Sequence, residues 1–344
     1  MVASPVDTKK EVTNKSYIGT PTFSPIPSVR GKVAIVTGGN SGIGFQLCKF
    51  LAFNGAKVYV ACRSEEKGQD AIKSIQAEGV VAGKKAEALD LMFVKVNLGD
   101  LKQTKQAAVD LAAKVGKIDI LICNAGIMDV ISSEPYKVSM VLLTKLMVQD
   151  GYENMFSVNH LGHFVFTTTL LPVLLKTPGH PRVVMLSSYA NWRAPNSGID
   201  FECLVKKNAE FTAVNLYGQS KLANILFANE LTLRHPKIIA NSVHPGIVTT
   251  NLLRPTPGSL LAIASYVIPK RVIGRILVGD MLTPEEGCLS ALWAATALEV
   301  EEKHITGKYV VPFGAVSDDH HPLAMDKELA KKLWEFSETA CAKF

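Results

Sequence analysis

The sequence predicts an α/β protein: a doubly wound parallel sheet in a three-layer α/β/α arrangement, folded as a single domain. Three observations carry this. From Gly31 onward, short β-branched apolar runs alternate with stretches of helical length. The runs are apolar almost throughout, not at every second residue, as strands covered on both faces must be. And 344 residues with 47% hydrophobic and 20% charged side chains supply a large core and exclude a disordered chain.

Taken in order, KVAIVTGG (32–39) is a strand that stops at glycines, and FQLCKFLAFNG (45–55) is a helix closed by a glycine. KVYVACR (57–63) and EEKGQDAIKSIQAEG (65–79) repeat the pair. LMFVKVNL (91–98), IDILICNAG (118–126), PRVVMLSS (181–188), IIANSVHPG (238–246) and KYVVPFG (308–314) are the further strands. Three inserts break the rhythm, at 129–150, 191–212 and 251–283. Residues 1–30, rich in Pro, Ser, Thr and Lys and without the apolar stretch of a signal peptide, read as an extended arm. The organisation expected is thus an arm over 1–30 and one domain over 31–344.

Bulk chemistry narrows the partners. The net charge of +6 is scattered in pairs such as Lys84-Lys85, which leaves no nucleic-acid footprint. Six cysteines form no C-x-x-C pair and no zinc spacing, which fits a reducing, cytoplasmic address. No uninterrupted apolar run reaches the roughly 18–20 residues of a spanning helix. The end, Cys341-Ala342-Lys343-Phe344, matches a prenylation pattern in form, but Lys343 fills a normally aliphatic slot and an idle cysteine is the plainer reading.

The first strand runs into TGGNSGIG (37–44), directly ahead of a helix. Gly38, Gly42 and Gly44, with Asn40, Ser41 and Ile43 between them, offer the tight turn and close backbone approach that a dinucleotide pyrophosphate needs, at the positive end of a helix. A strand before, a helix after and a second strand at the right interval make the glycine pattern specific. Where an NAD site ends its second strand on a carboxylate, this chain has Cys62, then Arg63 and Ser64. A guanidinium there suits a 2′-phosphate, so the cofactor expected is NADP(H); the alternative is a solvated arginine at a strand end. Further on, YGQSK (217–221) sets Tyr217 and Lys221 one above the other on a helix, with Gly218 and Ser220 expected to leave open space beside them.

With TGGNSGIG, NAG at 124–126, Asn159 in VNHLGH, the serines 187–188, YGQSK and HPG at 244–246, in that order over residues 31 to about 315, the sequence resembles the short-chain dehydrogenase/reductase family, most closely its retinol-dehydrogenase-like branch and related fungal reductases. The resemblance implies a Rossmann-like catalytic domain in which 251–283 is the substrate lid. It implies that Tyr217 is the general acid/base, Lys221 lowers its pKa and binds the nicotinamide ribose, Ser188 hydrogen-bonds the substrate oxygen, and Asn159 holds a water linked to Lys221. It also implies that Asn124, Ala125 and Gly126 line the adenine-ribose side, and that Pro245, Gly246, Val248 and Thr250 meet the carboxamide, with Thr249 an equal candidate for the hydroxyl contact. Two positions depart from the pattern. Asn97 stands where an acidic residue is usual, leaving the adenine contact to an amide and Leu98, and Cys123 replaces the first asparagine of N-N-A-G.

His160 and His163 flank Gly162 and could be read as metal ligands, but no carboxylate or third ligand has suitable spacing, and a structural role, or one of supporting the neighbouring site residues, is expected. His244 reads as part of a turn, and Asp318, Asp319, His320 and His321 as a solvated loop. In 251–283 two apolar faces (Leu260, Leu261, Tyr266; Ile273, Ile276, Leu277) are interleaved with Arg254, Lys270, Arg271 and Arg275. An ordinary lid packed on the core and a helix in peripheral membrane contact both remain open, and either implies a hydrophobic substrate. The expectation is an NADP(H)-dependent oxidoreductase acting on a hydrophobic ketone, aldehyde or alcohol, as monomer or homodimer. The rivals are a membrane-associated retinoid or sterol dehydrogenase, an epimerase or dehydratase, and a non-catalytic NADP(H)-binding sensor.

Overall fold

The computed structural model describes residues 27–128, 150–205, 212–249 and 281–344. The greater parts of the arm, of the insert at 129–150 and of the segment 251–283 therefore lie outside the described residues, as does Thr250.

Eight strands form one sheet: β1 (Val33–Thr37), β2 (Lys57–Cys62), β3 (Leu91–Lys95), β4 (Ile120–Cys123), β5 (Arg182–Leu186), β6 (Ile239–Val243), β7 (Tyr309–Val311) and β8 (Ala315–Val316). Their order is β3-β2-β1-β4-β5-β6-β7-β8. All pairings are parallel except β7–β8. All seven strands read from the sequence are present; β8, two residues long, is too short to leave a periodic signal. The chain moves outward from β1 to β3, then returns to β4 beside β1. Ligands of open α/β sheets bind at such a reversal, at the carboxyl ends of the strands.

Two apolar cores lie on the two faces of the sheet. One packs Leu47 and Leu51 of α1 (Gly42–Phe53), Ile72 and Ile75 of α2 (Glu65–Val81) and Leu292 of a late helix, Leu289–Thr296, against Val36, Val58 and Ile122. The other packs α3 (Leu101–Lys114), α4 (Asn154–Lys176), α5 (Ala213–Arg234) and α6 (Lys327–Cys341) against Ile35, Leu121 and Val183. Each such aliphatic side chain, fully buried, contributes on the order of 1.5–3 kcal/mol.

Helix α4 is long and apolar enough by length and composition to cross a membrane, although no unbroken apolar run of spanning length occurs within it; 61% of its most apolar window is buried inside the protein. It contains a π-turn, Ser157–Leu161, in which the Gly162 N–H reaches back to the Ser157 carbonyl. Such turns often mark functional sites. Helix α6 lies over α4 and α5: Ser337 pairs with His160 at 2.9 Å, and Trp334 stacks on Phe227 with ring centres 5.5 Å apart. The described part of the insert at 191–212 folds back on α5, where the Gln219 Oε1 accepts the Asp200 N–H at 2.6 Å.

Candidate active site

At the end of β1 the chain turns through Gly38 at φ +65° and Gly42 at φ +56°, and α1 begins. A Cβ on Gly44 would lie 2.2 Å from the Gly38 carbonyl oxygen and 2.6 Å from Asn124 Nδ2, so only glycine fits there. Helices α2, α3, α5 and α6 start on side-chain caps, from Ser64, Asp100, Thr212 and Asp326. Ser41 makes no capping bond to α1, and the first turn of α1 has no acidic residue. Its leading N–H groups and positive dipole end are thus left for an anion, and the residues present fit a dinucleotide pyrophosphate.

Around this turn, Thr37 joins two strand ends. Its Oγ1 accepts the N–H groups of Asn124 and Ala125 at 2.9 and 3.0 Å, while Asn124 Nδ2 donates to the Thr37 carbonyl at 2.8 Å. Asn124, Ala125 and Gly126 therefore stand beside the cradle; Thr37 itself was not singled out, although it opens the TGG motif. Arg63 follows β2 directly, is exposed, and has no ion pair among the described residues. Ser64 has a second duty, accepting the Lys67 N–H at 3.3 Å as the cap of α2. After β3, Asn97 is pinned through its backbone by Gln103 and Thr104, and Leu98 is buried against Gly162.

The second group converges from β5, α4 and α5. Lys221 Nζ lies 5.5 Å from the centre of the Tyr217 ring and donates to the Leu186 carbonyl at 3.1 Å. Ser188 follows β5 in extended backbone, its Oγ accepting the Ala190 N–H at 3.2 Å. Asn159 sits in the π-turn of α4. Its Oδ1 accepts the Ile127 N–H at 2.8 Å, and its Nδ2 donates to the Ile127 carbonyl at 3.0 Å and to Ser220 Oγ at 2.9 Å. A Cβ on Gly126 would lie 3.2 Å from Lys221 Nζ and 3.3 Å from Asn159 Oδ1, so the strand-end turn touches both residues. Asn224, one turn past Lys221, also donates to Leu186 at 3.0 Å; the sequence reading did not pick it out, though it shares the helix face.

Two expectations are corrected here. Gly218 does not leave open space: a Cβ there would lie 2.4 Å from the Ala190 carbonyl oxygen and 2.8 Å from the Ala194 nitrogen, because α5 packs tightly on the turn after Ser188. Nor does Ser220, whose Oγ bonds Asn159 and the Tyr217 carbonyl. Second, burial outweighs the acidifying groups around the phenol. Burial pushes Tyr217 up to about 12, with the Ser188 hydroxyl pulling part of the way back, and burial brings Lys221 down to about 8.

After β6 the turn at Pro245 and Gly246 (φ +87°) leads to Val248, which bridges Leu282, while the Thr249 N–H bonds the Leu282 carbonyl at 3.0 Å. His244 is buried, and its Nδ1 faces the N–H groups of Tyr189 and Gly246 at 3.2 and 3.4 Å. His160 and His163 are buried in α4 with hydrogen-bond partners in the fold. Near the C-terminus, His321 is buried instead of solvated and its N–H donates to Asn191 Oδ1 at 2.7 Å, because the loop packs on the turn after Ser188.

A phosphate cradle at a strand reversal, with a tyrosine and a lysine on a neighbouring helix, defines a nucleotide-dependent α/β oxidoreductase. The family profile described as short chain dehydrogenase matches residues 32–199. An uncharacterized oxidoreductase of Schizosaccharomyces pombe is 39% identical over 313 residues, covering 88% of this chain and 83% of that protein. Human retinol dehydrogenase 14 is 32% identical, covering 90% and 86%. A crystal structure of an uncharacterized Mycobacterium paratuberculosis protein superposes with a TM-score of 0.64 at 28% identity, covering 92% of this chain and 96% of that one. The chain belongs to the short-chain dehydrogenase/reductase family, in its retinol-dehydrogenase-like branch. It is an oxidoreductase acting on CH–OH or C=O groups with a nicotinamide cofactor.

Proposed function

We propose that the chain is an NADP(H)-dependent oxidoreductase interconverting hydrophobic ketones or aldehydes and their alcohols. The observation that carries this reading is the convergence of Tyr217, Lys221, Ser188 and Asn159 next to the cradle. The bound nicotinamide supplies hydride exchange with the substrate carbon. Tyr217 gives its phenolic proton to the carbonyl oxygen in reduction and takes it back in oxidation. Ser188 Oγ, already accepting from Ala190, keeps its own hydrogen to donate to that oxygen. Lys221, tethered to Leu186, stabilises the phenolate and reaches the ribose, and Asn159 holds the Ile127 turn at its side.

Arg63 favours the 2′-phosphate over a free hydroxyl, Asn124 to Gly126 line the adenine-ribose side, and Pro245, Gly246 and Val248 meet the carboxamide, with Thr249 or Thr250 making the hydroxyl contact. A hydrophobic substrate is supported by the apolar content of 251–283 and by relatives named retinol dehydrogenases, whose substrate is an apolar alcohol. The test is to follow NADPH absorbance against a panel of ketones and aldehydes, with Tyr217→Phe as control. Turnover that prefers hydrophobic carbonyls and falls by roughly 10²–10⁴ in the variant supports the reading. Full activity in Tyr217→Phe sinks it.

A further inference from the structure

Both ring nitrogens of His163 are spent on residues of the cleft. Nδ1 lies 2.9 Å from the backbone carbonyl of Asn159 and must carry the hydrogen, because a carbonyl only accepts. In the neutral ring Nε2 is then the acceptor, and the Thr37 hydroxyl, 2.8 Å away, donates to it. The other acceptor in reach of that hydroxyl, the Ile122 carbonyl, is at 3.4 Å. The ring is fully buried, and burial brings its pKa down to about 4, so it stays neutral and keeps this tautomer at neutral pH.

The chain of bonds continues at both ends. Thr37 Oγ1 accepts from Asn124 and Ala125, which fixes the end of β4 against the end of β1. Asn159 lies in the π-turn, its side chain committed to Ile127 and Ser220. A single imidazole therefore spans from the strand that opens the phosphate cradle to the turn that carries Asn159, across 126 residues of sequence.

We propose that His163 is a positioning residue that fixes the cofactor cradle through Thr37 and the Asn159 turn through its carbonyl, so that one side chain sets both halves of the site. The inference rests on the oxidoreductase reading above. A leucine at 163 breaks both arms. An asparagine reaches about as far as Nδ1 and preserves the bond to Asn159, whereas a glutamine reaches about as far as Nε2 and preserves the bond to Thr37.

The experiment measures the NADPH dissociation constant by fluorescence titration, and kcat and KM by NADPH absorbance, in His163→Asn, His163→Gln and His163→Leu. His163→Asn should weaken NADPH binding about tenfold with a smaller change in kcat. His163→Gln should lower kcat about tenfold with a smaller change in NADPH binding, and His163→Leu should do both. A role in packing alone predicts that all three variants lose affinity and rate together, in step with their melting temperatures; that result, or no change in any variant, overturns the proposal. Should the His163 variants fail to fold, Thr37→Ser, which keeps the hydroxyl, is compared with Thr37→Val. Loss of affinity with a smaller change in kcat in Thr37→Val alone supports the bridge, and affinity and kcat falling together, or neither falling, overturns it. If Tyr217→Phe stays active the catalytic reading falls, while the titrations without turnover still decide whether the Asn and Gln variants split.

Discussion

Lys221 is held to the sheet by the last carbonyl of β5, that of Leu186, 3.1 Å from Nζ, and stands 5.5 Å from the centre of the Tyr217 ring. The same carbonyl accepts from Asn224, and Ser187 Oγ donates to the Lys221 carbonyl at 2.8 Å, so helix and strand end are joined by three bonds around one ammonium. Lys221→Met keeps the stem and removes the charge. Its kcat should fall by roughly 10²–10⁴, within the range for a lost acid–base group, with circular dichroism unchanged. A loss below threefold in NADPH assays would remove Lys221 from the chemistry.

The close approach at Gly218 makes a second prediction. In Gly218→Ala the new methyl meets the backbone of Ala190 and Ala194, neither of which can rotate away. The variant should lose about 1–3 kcal/mol of stability in urea unfolding, the usual cost of overpacking, and some activity, because α5 carries Tyr217. An unchanged urea midpoint would mean that the helix and the turn sit further apart than described.

Cofactor choice is read from Arg63. Arg63→Ala should weaken NADPH binding by about 1.5–3 kcal/mol, the value of a hydrogen bond to a charged group, or roughly 10- to 150-fold. NADH binding should hardly change. Equal losses for both coenzymes would show that the guanidinium does not meet the 2′-phosphate.

Acid sensitivity follows from three buried histidines. Burial brings His160 and His244 down to about 3 and His163 to about 4, from an ordinary 6.5. Below pH 6.5 the unfolded chain binds protons that the folded one refuses, so stability is fully present above 6.5 and is lost as pH falls toward 4. Each group contributes up to about 1.4 kcal/mol per pH unit in that window. The urea midpoint should drop steeply between pH 6.5 and 4.5, and His244→Asn should reduce the slope. A flat midpoint over that range would show these rings to be protonated in the folded state.

The C-terminal helix supplies a fifth test. Trp334 stacks on Phe227 and carries the Arg234 guanidinium 4.6 Å from its ring centre. Trp334→Ala should cost about 3–5 kcal/mol, typical for a buried aromatic truncation, read by denaturant unfolding. A cost under 1 kcal/mol would show that α6 is only loosely attached.

What the sequence made legible were relationships fixed by local geometry. The glycines of the cradle follow from the strand–turn–helix pattern, and the Tyr217–Lys221 pairing from the helical repeat, since four residues bring side chains onto one face whatever surrounds them. Relationships across distant segments were hidden. Gly218 read as open space because its neighbour, the turn after Ser188, is about 25 residues away in the chain. His163 read as a structural or supporting residue with no partner in view because Thr37 lies 126 positions earlier. The phenol was expected to be acidified because an ammonium one turn away is visible in the sequence, whereas the burial that outweighs it depends on α4, α5 and the turn at 189–194 packing together. Strand β8 is too short to register.

Helix α6 has a consequence for how the molecule comes into being. It follows every other described element, yet Trp334 completes the surroundings of Phe227 and Ser337 those of His160. At the usual ~5–20 residues synthesised per second, the Rossmann layers emerge and begin to pack well before α6 leaves the ribosome. A product stopped short of Lys327 would leave Phe227 bare on the helix that bears Tyr217, and Phe164 bare on α4, as targets for chaperones and proteases. Catalytic competence should thus be conferred late in biosynthesis, and truncated chains should be cleared instead of accumulating as partly active enzyme.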